Sequence, residues 1–166
     1  QLERKLAALE GTEACIAFAS GMAAIWALFS RLLTSGDHIV MSDVTYAAAS
    51  ELANDTLPDL GIEVTRTDTS DLDGLRKALR PNTRLLYLET PANPLLRLTD
   101  IGAAAKVAHE VGVPVAVDST FATPIALRPV EHGADYVIHS LTKYICGHGD
   151  ALGGAICGSQ ADLDRL

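Results

Sequence analysis

One lysine stands where its amine could do chemistry. Lys143 lies in the stretch HSLTKYICGHGD, after an apolar run and before a glycine-rich turn, and the hydroxyl residues Ser140 and Thr142 precede it. A lysine removed from water has a lowered pKa, because burial penalises the charged ammonium. Its neutral amine is then a nucleophile that can bond to an aldehyde. The alternative interpretation is an ordinary surface lysine at a strand end.

Pyridoxal phosphate is an aldehyde whose other groups match residues elsewhere in the chain. Its phosphate needs backbone N–H groups at a helix start, which Gly21 and Met22 can provide, and the two hydroxyls before the lysine add donors. Its ring nitrogen needs a carboxylate, and Asp118 follows the apolar run VPVAV. Its ring face accepts an aromatic partner, for which Tyr46 is placed. Each feature alone is common, so the hypothesis depends on their occurring together.

Other signatures of cofactors and nucleophiles fit less well. No P-loop motif is present, and GHGDALG at 147–153 departs by one residue from the dinucleotide fingerprint. Ser20 lacks the two flanking glycines of a hydrolase nucleophile. Four potential metal ligands occur in one stretch, namely His139, Cys146, His148 and Asp150. Their spacing matches no standard zinc pattern, so we expect no metal there.

The elements that must position these residues alternate between strand and helix. Apolar runs predict strands at 15–18, 38–42, 62–68, 83–90, 113–119, 136–140 and 153–158. Helical spacing predicts helices at the start of the chain, at 20–33, 45–56, 72–79 and 99–111, and from Ser159 or Gln160 onward. Thr99 is the predicted N-cap of the helix at 99–111. Apolar strands joined by helices predict an α/β fold, a mostly parallel sheet with helices on both faces. Ligands of such sheets bind at the carboxyl ends of the strands, where the candidate residues lie.

Composition limits the classes of partner. The net charge is −8, from 21 acidic and 13 basic residues, which argues against binding to nucleic acid or an anionic membrane. Residues 14–30 carry no charge, but Ser20 and Gly21 divide them, so we interpret the segment as buried core rather than a membrane span. Three widely spaced cysteines favour a reducing cytoplasm.

Four blocks of sequence together resemble a known family. They are ASGMAAI at 19–25, ETPANP at 89–94, DSTFATP at 118–124 and SLTKYICGHGD at 140–150. In this order they resemble the Cys/Met-metabolism family of pyridoxal-phosphate enzymes, the transsulfuration group. This group contains cystathionine lyases and synthases, methionine γ-lyases and homoserine sulfhydrylases. The resemblance covers essentially the whole chain, and its S-x-T-K-Y and D-[NS]-T-[FY] blocks are specific to the family.

The resemblance implies the large, cofactor-binding domain of a fold-type I enzyme. Lys143 would bond to the cofactor and, with the ring-stacking Tyr46, carry out catalysis. Asp118 would hold the ring nitrogen, and Asn93 would lie near the ring hydroxyl. The implied cofactor contacts are Gly21, Met22, Tyr46, Asn93, Asp118, Ser140, Thr142 and Lys143.

The activity that the resemblance implies is γ-elimination from a sulfur amino acid, methionine or cystathionine. γ-Replacement, as in cystathionine γ-synthase or O-acetylhomoserine sulfhydrylase, and β-elimination, as in cystathionine β-lyase, use the same residues and stay open. An aminotransferase and a non-catalytic α/β domain are the remaining alternatives. Methionine γ-lyases usually have a cysteine where this chain has Ala48, whereas the GHGD sequence is similar to theirs.

The resemblance also predicts what the chain works with. We expect residues 1–166 to be a fragment, with an N-terminal arm and a C-terminal small domain outside it, since the chain opens inside a helix pattern and closes at the start of another. A cytoplasmic homo-oligomer, a dimer of dimers with sites shared between subunits, is implied. Its substrate would be a small amino acid, and no nucleic acid or membrane partner is expected.

Overall fold

Seven strands form one sheet in the computed structural model, which describes residues 1–166. The strands are β1 (Ala14–Phe18), β2 (His38–Ser42), β3 (Glu63–Thr67), β4 (Thr83–Glu89), β5 (Val115–Asp118), β6 (Tyr136–Ser140) and β7 (Gly154–Gly158). Their order across the sheet is β1-β7-β6-β5-β4-β2-β3, and β7 alone runs antiparallel to its neighbours. The predicted α/β fold with a mostly parallel sheet is confirmed.

Helices cover both faces of the sheet. They are α1 (Leu2–Glu10), α2 (Gly21–Leu32), α3 (Ala47–Glu51), α4 (Leu57–Asp59), α5 (Leu72–Ala78), α6 (Ile101–His109), α7 (Thr123–Ala126) and α8 (Gln160–Leu163). A π-helical turn, Leu52–Thr56, joins α3 to α4, and a 3₁₀ turn spans Pro129–His132. The helix predicted at 45–56 is divided into α3 and the π-helical turn, and the sequence did not predict α4, α7 or the 3₁₀ turn. None of the helices is both long and apolar enough to cross a membrane.

The start of α6 differs from the prediction. Its N-cap is Asp100, whose side chain accepts the backbone N–H of Ala103 at 3.0 Å. Thr99 was the predicted cap, and that prediction is wrong by one residue. The Thr99 hydroxyl lies 2.7 Å from Thr69 Oγ1 instead, so a contact with a distant loop replaces the local cap. Both residue types cap helices well, and sequence alone does not separate them.

Helix α2 shows why the uncharged segment is core. Ser20 caps it by accepting the Ala23 N–H at 3.1 Å, and Ala24, Leu28 and Phe29 are completely buried. Directly beside the cap, a Cβ on Gly154 would lie 2.1 Å from the Ser20 carbonyl oxygen. A glycine in β7 therefore lets α2 begin against the sheet. The predicted division of residues 14–30 into a strand and a helix is confirmed.

Alternation along the strands separates two apolar clusters. The α1 face contains Leu86, Leu88 and Val117 and is covered by α1, α5 and α6. The α2 face contains Leu85 and Tyr87 and is covered by α2, α3, α4 and α8. Because successive strand residues point to opposite faces, Glu89, Asp118 and Ser140 at the strand ends lie on the α2 face.

Candidate active site

A cavity of about 550 Å³ opens at the carboxyl edge of the sheet, on the α2 face. It is bordered by the start of α2, the loops after β2 and β4, the ends of β5 and β6, and the turn after β6. All eight residues that the sequence singled out border this cavity: Gly21, Met22, Tyr46, Asn93, Asp118, Ser140, Thr142 and Lys143. The fold therefore brings together residues that are separated by up to 122 positions in the chain.

The start of α2 approaches the end of β6 closely. A Cβ on Gly21 would lie 2.8 Å from Ser140 Cβ, closer than side chains approach one another. Glycine at this position thus brings the first backbone N–H groups of α2, those of Gly21 and Met22, beside Ser140. The N-terminus of a helix attracts anions, since its N–H groups are unpaired and the helix dipole is positive there. The geometry suits the phosphate of a ligand in the cavity.

Asp118 presents a buried carboxylate to the cavity. It is only 7% exposed, and Oδ1 accepts the Thr120 N–H at 3.0 Å while Oδ2 accepts the Tyr87 hydroxyl at 3.2 Å. Burial and then the Asp118 charge raise the pKa of Tyr87 well above its ordinary value, so Tyr87 stays a donor. No lysine, arginine or histidine forms an ion pair with Asp118. A buried carboxylate without a cationic partner suits a ligand that carries a protonated nitrogen.

Glu89 is a functional candidate for which no role was predicted from the sequence. It ends β4, pairs in register with Asp118 of β5 and is 5% exposed. Its Oε2 accepts the Tyr46 N–H at 2.7 Å, and its Oε1 accepts the Asn93 N–H at 2.8 Å. Burial, followed by the charge of Asp118, raises the pKa of Glu89 to about 7. The available signal was its position, because it ends its strand as Asp118 ends the next one.

Lys143 lies at the mouth of the cavity and its side chain is exposed. The sequence predicted a lysine removed from water, and the structure contradicts that prediction. The physical reason is that Lys143 lies beyond β6, in a turn held by hydrogen bonds from its N–H to the Ser140 carbonyl and from Gly147 N–H to its own carbonyl. No carboxylate forms an ion pair with it, and the residue borders the cavity.

Two threonines near Lys143 hold the backbone of the site. The Thr142 hydroxyl donates to the Gly153 carbonyl at 3.2 Å and accepts the Gly153 N–H at 3.1 Å. Its contact with a phosphate stays a prediction. Thr120, which the sequence did not single out for a role, accepts the Ser140 N–H on its hydroxyl at 2.8 Å. Together with its bond to Asp118, this contact ties the end of β5 to the end of β6.

Aromatic side chains lie around the cavity. Tyr46 precedes α3 and is 40% exposed, so its ring is accessible from the cavity. Phe121 and Tyr144 form a tilted ring pair with centroids 5.6 Å apart. No role was predicted for these two residues, although each belongs to a block that resembles the family. A planar ring in the cavity would therefore have aromatic neighbours.

The four potential metal ligands do not form a centre. His139 faces the opposite side of the sheet from Ser140, on the α1 face, where it pairs with Glu10 of α1 in complete burial. Cys146 Sγ lies 3.3 Å from Asp150 Oδ1 near the cavity. No group of three or more histidine, cysteine, aspartate or glutamate side chains is arranged to hold a metal ion.

These observations fit pyridoxal phosphate. The cavity combines a free amine from Lys143, a buried carboxylate from Asp118 and a helix N-terminus that Gly21 brings next to Ser140. The three features match the aldehyde, the ring nitrogen and the phosphate of the cofactor. Each comes from a different part of the chain.

Comparison with known proteins agrees with this fit. The chain is 51% identical to the canavanine γ-lyase of Pseudomonas canavaninivorans, over 99% of this chain and 42% of that protein. It is 46% identical to the cystathionine γ-lyase of Bacillus subtilis and 42% identical to the L-methionine γ-lyase of Pseudomonas putida, over 98% and 99% of this chain and 42% of each relative. The chain thus spans about two fifths of the length of these relatives.

Solved structures show the same fold. The crystal structure of metB from Corynebacterium glutamicum matches with a TM-score of 0.96 and 41% identity, over 99% of this chain and 43% of that one. The cystathionine γ-lyase of Lactobacillus plantarum, solved in complex with L-serine, matches with a TM-score of 0.95 and 40% identity, over the same shares. A family model described as "Cys/Met metabolism PLP-dependent enzyme" matches residues 1–165. The chain belongs to the Cys/Met-metabolism family of pyridoxal-phosphate-dependent enzymes, as the four sequence blocks predicted.

Proposed function

We propose that this chain carries the cofactor-binding part of a lyase that eliminates a leaving group from Cγ of a sulfur amino acid, methionine or cystathionine. The observation that carries the proposal is the cavity in which the Lys143 amine, the buried Asp118 carboxylate and the start of α2 converge. The names of relatives at 42–46% identity support the reaction type.

The chain's own residues would hold the cofactor at three points. Lys143 would bond to the aldehyde, Asp118 would keep a proton on the ring nitrogen, and the N–H groups of Gly21 and Met22 would bind the phosphate, with Ser140 and Thr142 nearby. Tyr46 would lie against the ring, and Asn93 would reach its hydroxyl. When bound, pyridoxal phosphate supplies an electron-accepting ring that stabilises negative charge at the substrate Cα.

Two side chains would move protons during the reaction. Lys143 would take the proton from the substrate Cα, pass it on within the cavity and, as a neutral amine again, take a proton from Cβ. Its exposed position at the cavity mouth leaves its amine free to move between these carbons. Tyr46 would give a proton to the departing sulfur, so that it leaves as a neutral thiol.

Canavanine is a second candidate substrate. The observation that favours it is the higher identity, 51% and 49%, to two proteins named canavanine γ-lyase. Canavanine carries its leaving group on an oxygen at Cγ, and the same proton transfers would release it. γ-Replacement and β-elimination also use these residues, so the substrate panel must include them.

A product assay tests the function. Full-length protein is given methionine, cystathionine, canavanine, and O-acetylhomoserine with sulfide, and 2-oxo acids, thiols and guanidine products are measured. We expect 2-oxobutyrate with methanethiol from methionine, or 2-oxobutyrate with cysteine from cystathionine. Turnover of canavanine alone would move the assignment to the second candidate, and pyruvate would move it to β-elimination.

A Lys143→Ala variant tests the cofactor assignment. We expect it to lose the visible, borohydride-sensitive absorption band and to turn over at least about a thousandfold more slowly, since it lacks both the covalent anchor and the proton carrier. Lys106→Ala removes an exposed lysine of α6 and is the matched control, expected to behave as wild type. A Lys143→Ala variant that keeps both the band and the turnover would refute the assignment.

We also propose that residues 1–166 are the pyridoxal-phosphate-binding large domain of a homo-oligomer, a dimer of dimers whose sites are shared between subunits. The exposure of Lys143, Tyr144 and Leu152 at the cavity mouth supports this, because other parts of such an assembly could cover them. Three free cysteines are compatible with the reducing cytoplasm. Light scattering of the full-length protein measures the assembly.

A further inference from the structure

Glu89 contacts two of the residues assigned to the cofactor, although its own carboxylate is occupied by the protein. We propose that Glu89 is a positioning residue: it fixes Tyr46 and Asn93 at the cavity by binding their backbone N–H groups, and it releases them when it takes up a proton. The inference rests on the proposed function, because it concerns the same cavity.

The geometry of the clamp is specific. The two oxygens of one carboxylate accept one N–H each, from Tyr46 at 2.7 Å and from Asn93 at 2.8 Å. Tyr46 lies in the loop that follows β2, and Asn93 lies in the loop that follows β4, so Glu89 joins two loops to the rigid end of a strand. Tyr46 is 40% exposed, so part of it has no protein neighbour to hold it. Its backbone bond to Glu89 therefore sets where the ring can lie.

Protonation state decides whether Glu89 can hold both loops. An ionised carboxylate accepts two N–H groups in charge-assisted bonds, whereas a carboxylic acid has one oxygen that carries hydrogen and accepts poorly. Burial and the charge of Asp118 on β5 raise the pKa of Glu89 to about 7. The clamp is then complete above this pH and weakened below it.

The other ionisable groups around Glu89 do not remove the dependence of the clamp on pH. Tyr87 on the same strand stays neutral and donates to Asp118. Arg97, in the loop after β4, pairs with Asp43 in the loop after β2, and Arg66 of β3 donates to the Asp43 carbonyl. After burial, the charge of Asp118 is the largest influence on the pKa of Glu89.

The position of Asp118 couples the clamp to the ligand. A cation beside Asp118, such as the protonated ring nitrogen, offsets the negative charge that raises the pKa of Glu89. Binding of pyridoxal phosphate therefore favours ionisation of Glu89, and by linkage ionised Glu89 favours binding. Cofactor binding near neutral pH should release a proton from Glu89.

Amide hydrogen exchange tests the clamp directly. In full-length protein freed of cofactor, we expect the protection of the Tyr46 and Asn93 amides, corrected for intrinsic exchange, to rise about tenfold from about pH 6 to about pH 8, in proportion to the ionised fraction of Glu89. Mass spectrometry of peptides covering 43–50 and 90–98 measures the exchange of these two amides. Protection of both amides that does not change over this range would overturn the proposal, and this arm needs neither turnover nor bound cofactor.

Substitution separates positioning from general stability. In Glu89→Gln, the amide has one acceptor oxygen and cannot hold both N–H groups, so protection should lose its pH dependence and affinity for pyridoxal phosphate should fall about tenfold. Asp135→Asn is the matched control, since Asp135 also accepts a backbone N–H, that of Val115 at 2.7 Å, but at the opposite edge of the sheet. It should lower stability and leave cofactor affinity and its pH profile unchanged.

The outcomes distinguish this inference from the proposed function. A Glu89→Gln variant that binds pyridoxal phosphate with wild-type affinity and pH profile overturns the clamp alone. A wild-type protein that binds no pyridoxal phosphate overturns the proposed function, while exchange still decides whether Glu89 holds the two loops. If Glu89→Gln does not fold, the wild-type exchange profile by itself supports or overturns the clamp.

Discussion

At the scale of single residues, the site keeps two carboxyl groups in one buried corner. Glu89 and Asp118 are opposite each other on adjacent strands, and no cation pairs with either. Their mutual repulsion opposes folding whenever both are ionised. A ligand that brings a positive charge to this corner would offset that cost in stability.

This cost predicts a pH dependence of stability. The folded-state pKa of Glu89 is raised from 4.5 to about 7, so the folded state binds its proton more tightly than the unfolded state. Its contribution is fully present below about pH 4.5 and is lost as pH rises through about 7, a decrease of about 3 kcal/mol in the free energy of unfolding. Urea denaturation of cofactor-free protein measures it. Glu89→Gln should lack this decrease, and identical pH profiles for the two proteins would contradict the prediction.

The close approach at Gly21 gives a second prediction. A Cβ in Gly21→Ala would meet Ser140 Cβ at 2.8 Å and push the start of α2 away from β6. We expect affinity for pyridoxal phosphate to fall at least about tenfold, because the phosphate loses its alignment with the helix N–H groups. Equilibrium titration with pyridoxal phosphate measures it.

Gly102→Ala is the control for this substitution. Gly102 lies in α6, where the nearest atom to a new Cβ is 3.5 Å away. Alanine there should increase stability by about 0.5–1 kcal/mol through helix propensity and leave cofactor affinity unchanged. Equal effects of the two substitutions on affinity would show that the Gly21 contact does not align the phosphate site.

At the scale of elements, one buried polar pair holds α1 against β6 on the face of the sheet opposite the cavity. Glu10, the last residue of α1, pairs with His139 of β6, and both side chains are completely buried on the α1 face. Glu10 Oε2 and His139 Nδ1 have no further partner. His139 immediately precedes Ser140, so the pair fixes α1 against the strand that ends at the cavity.

Removing one side chain of the Glu10–His139 pair should lower the stability of the protein. Glu10→Ala leaves His139 buried without its partner, and we expect the free energy of unfolding to fall by about 3–5 kcal/mol. Glu3→Ala is the control on the same helix, since Glu3 accepts the Ala17 N–H at 3.0 Å at the surface and should cost about 1 kcal/mol. Guanidinium denaturation compares the two variants, and similar costs would mean that the buried pair contributes no more than a surface contact.

At the scale of the whole molecule, the two faces of one sheet contribute to two separate hydrophobic clusters. Residues of β4 alternate between the α1 face and the α2 face, so neither cluster can form without the same strands. Helices on each side therefore stabilise the sheet edge that carries the site. Unfolding should be one cooperative transition for the two layers.

Matched truncations on the two faces test this architecture. Leu88→Ala on the α1 face and Leu28→Ala on the α2 face each remove a completely buried side chain and should cost about 2–5 kcal/mol. Because the sheet separates them, the double variant should lose the sum within about 0.5 kcal/mol. Denaturation followed by fluorescence and circular dichroism measures both. Separate transitions for the two probes would contradict a single cooperative unit.

Local pattern was sufficient for the strands and the longer helices, but not for the short helices and the 3₁₀ turn. Every predicted strand, from CIAF at the start to GGAICG near the end, is present within one or two residues, because period-two and period-3.6 apolarity are properties of the chain itself. The position of Asp118 directly after an apolar run was enough to place it at the ligand edge of the sheet. The four family blocks identified the cofactor class for the same reason, since each is continuous in sequence.

Contacts between distant segments decided the burial, pairing and pKa values of the site residues. The carboxylate clamp of Glu89 depends on loops 43 and 4 residues away in opposite directions along the chain, and its raised pKa depends on a neighbouring strand. Exposure of Lys143 follows from the turn beyond β6, and the cap of α6 follows from the contact of Thr99 with Thr69. Sequence by itself determined which residues the protein brings to the sheet edge, because strand periodicity and strand ends are local. Only the tertiary structure decided which of them are buried, paired or free, because desolvation and charge interactions act through space.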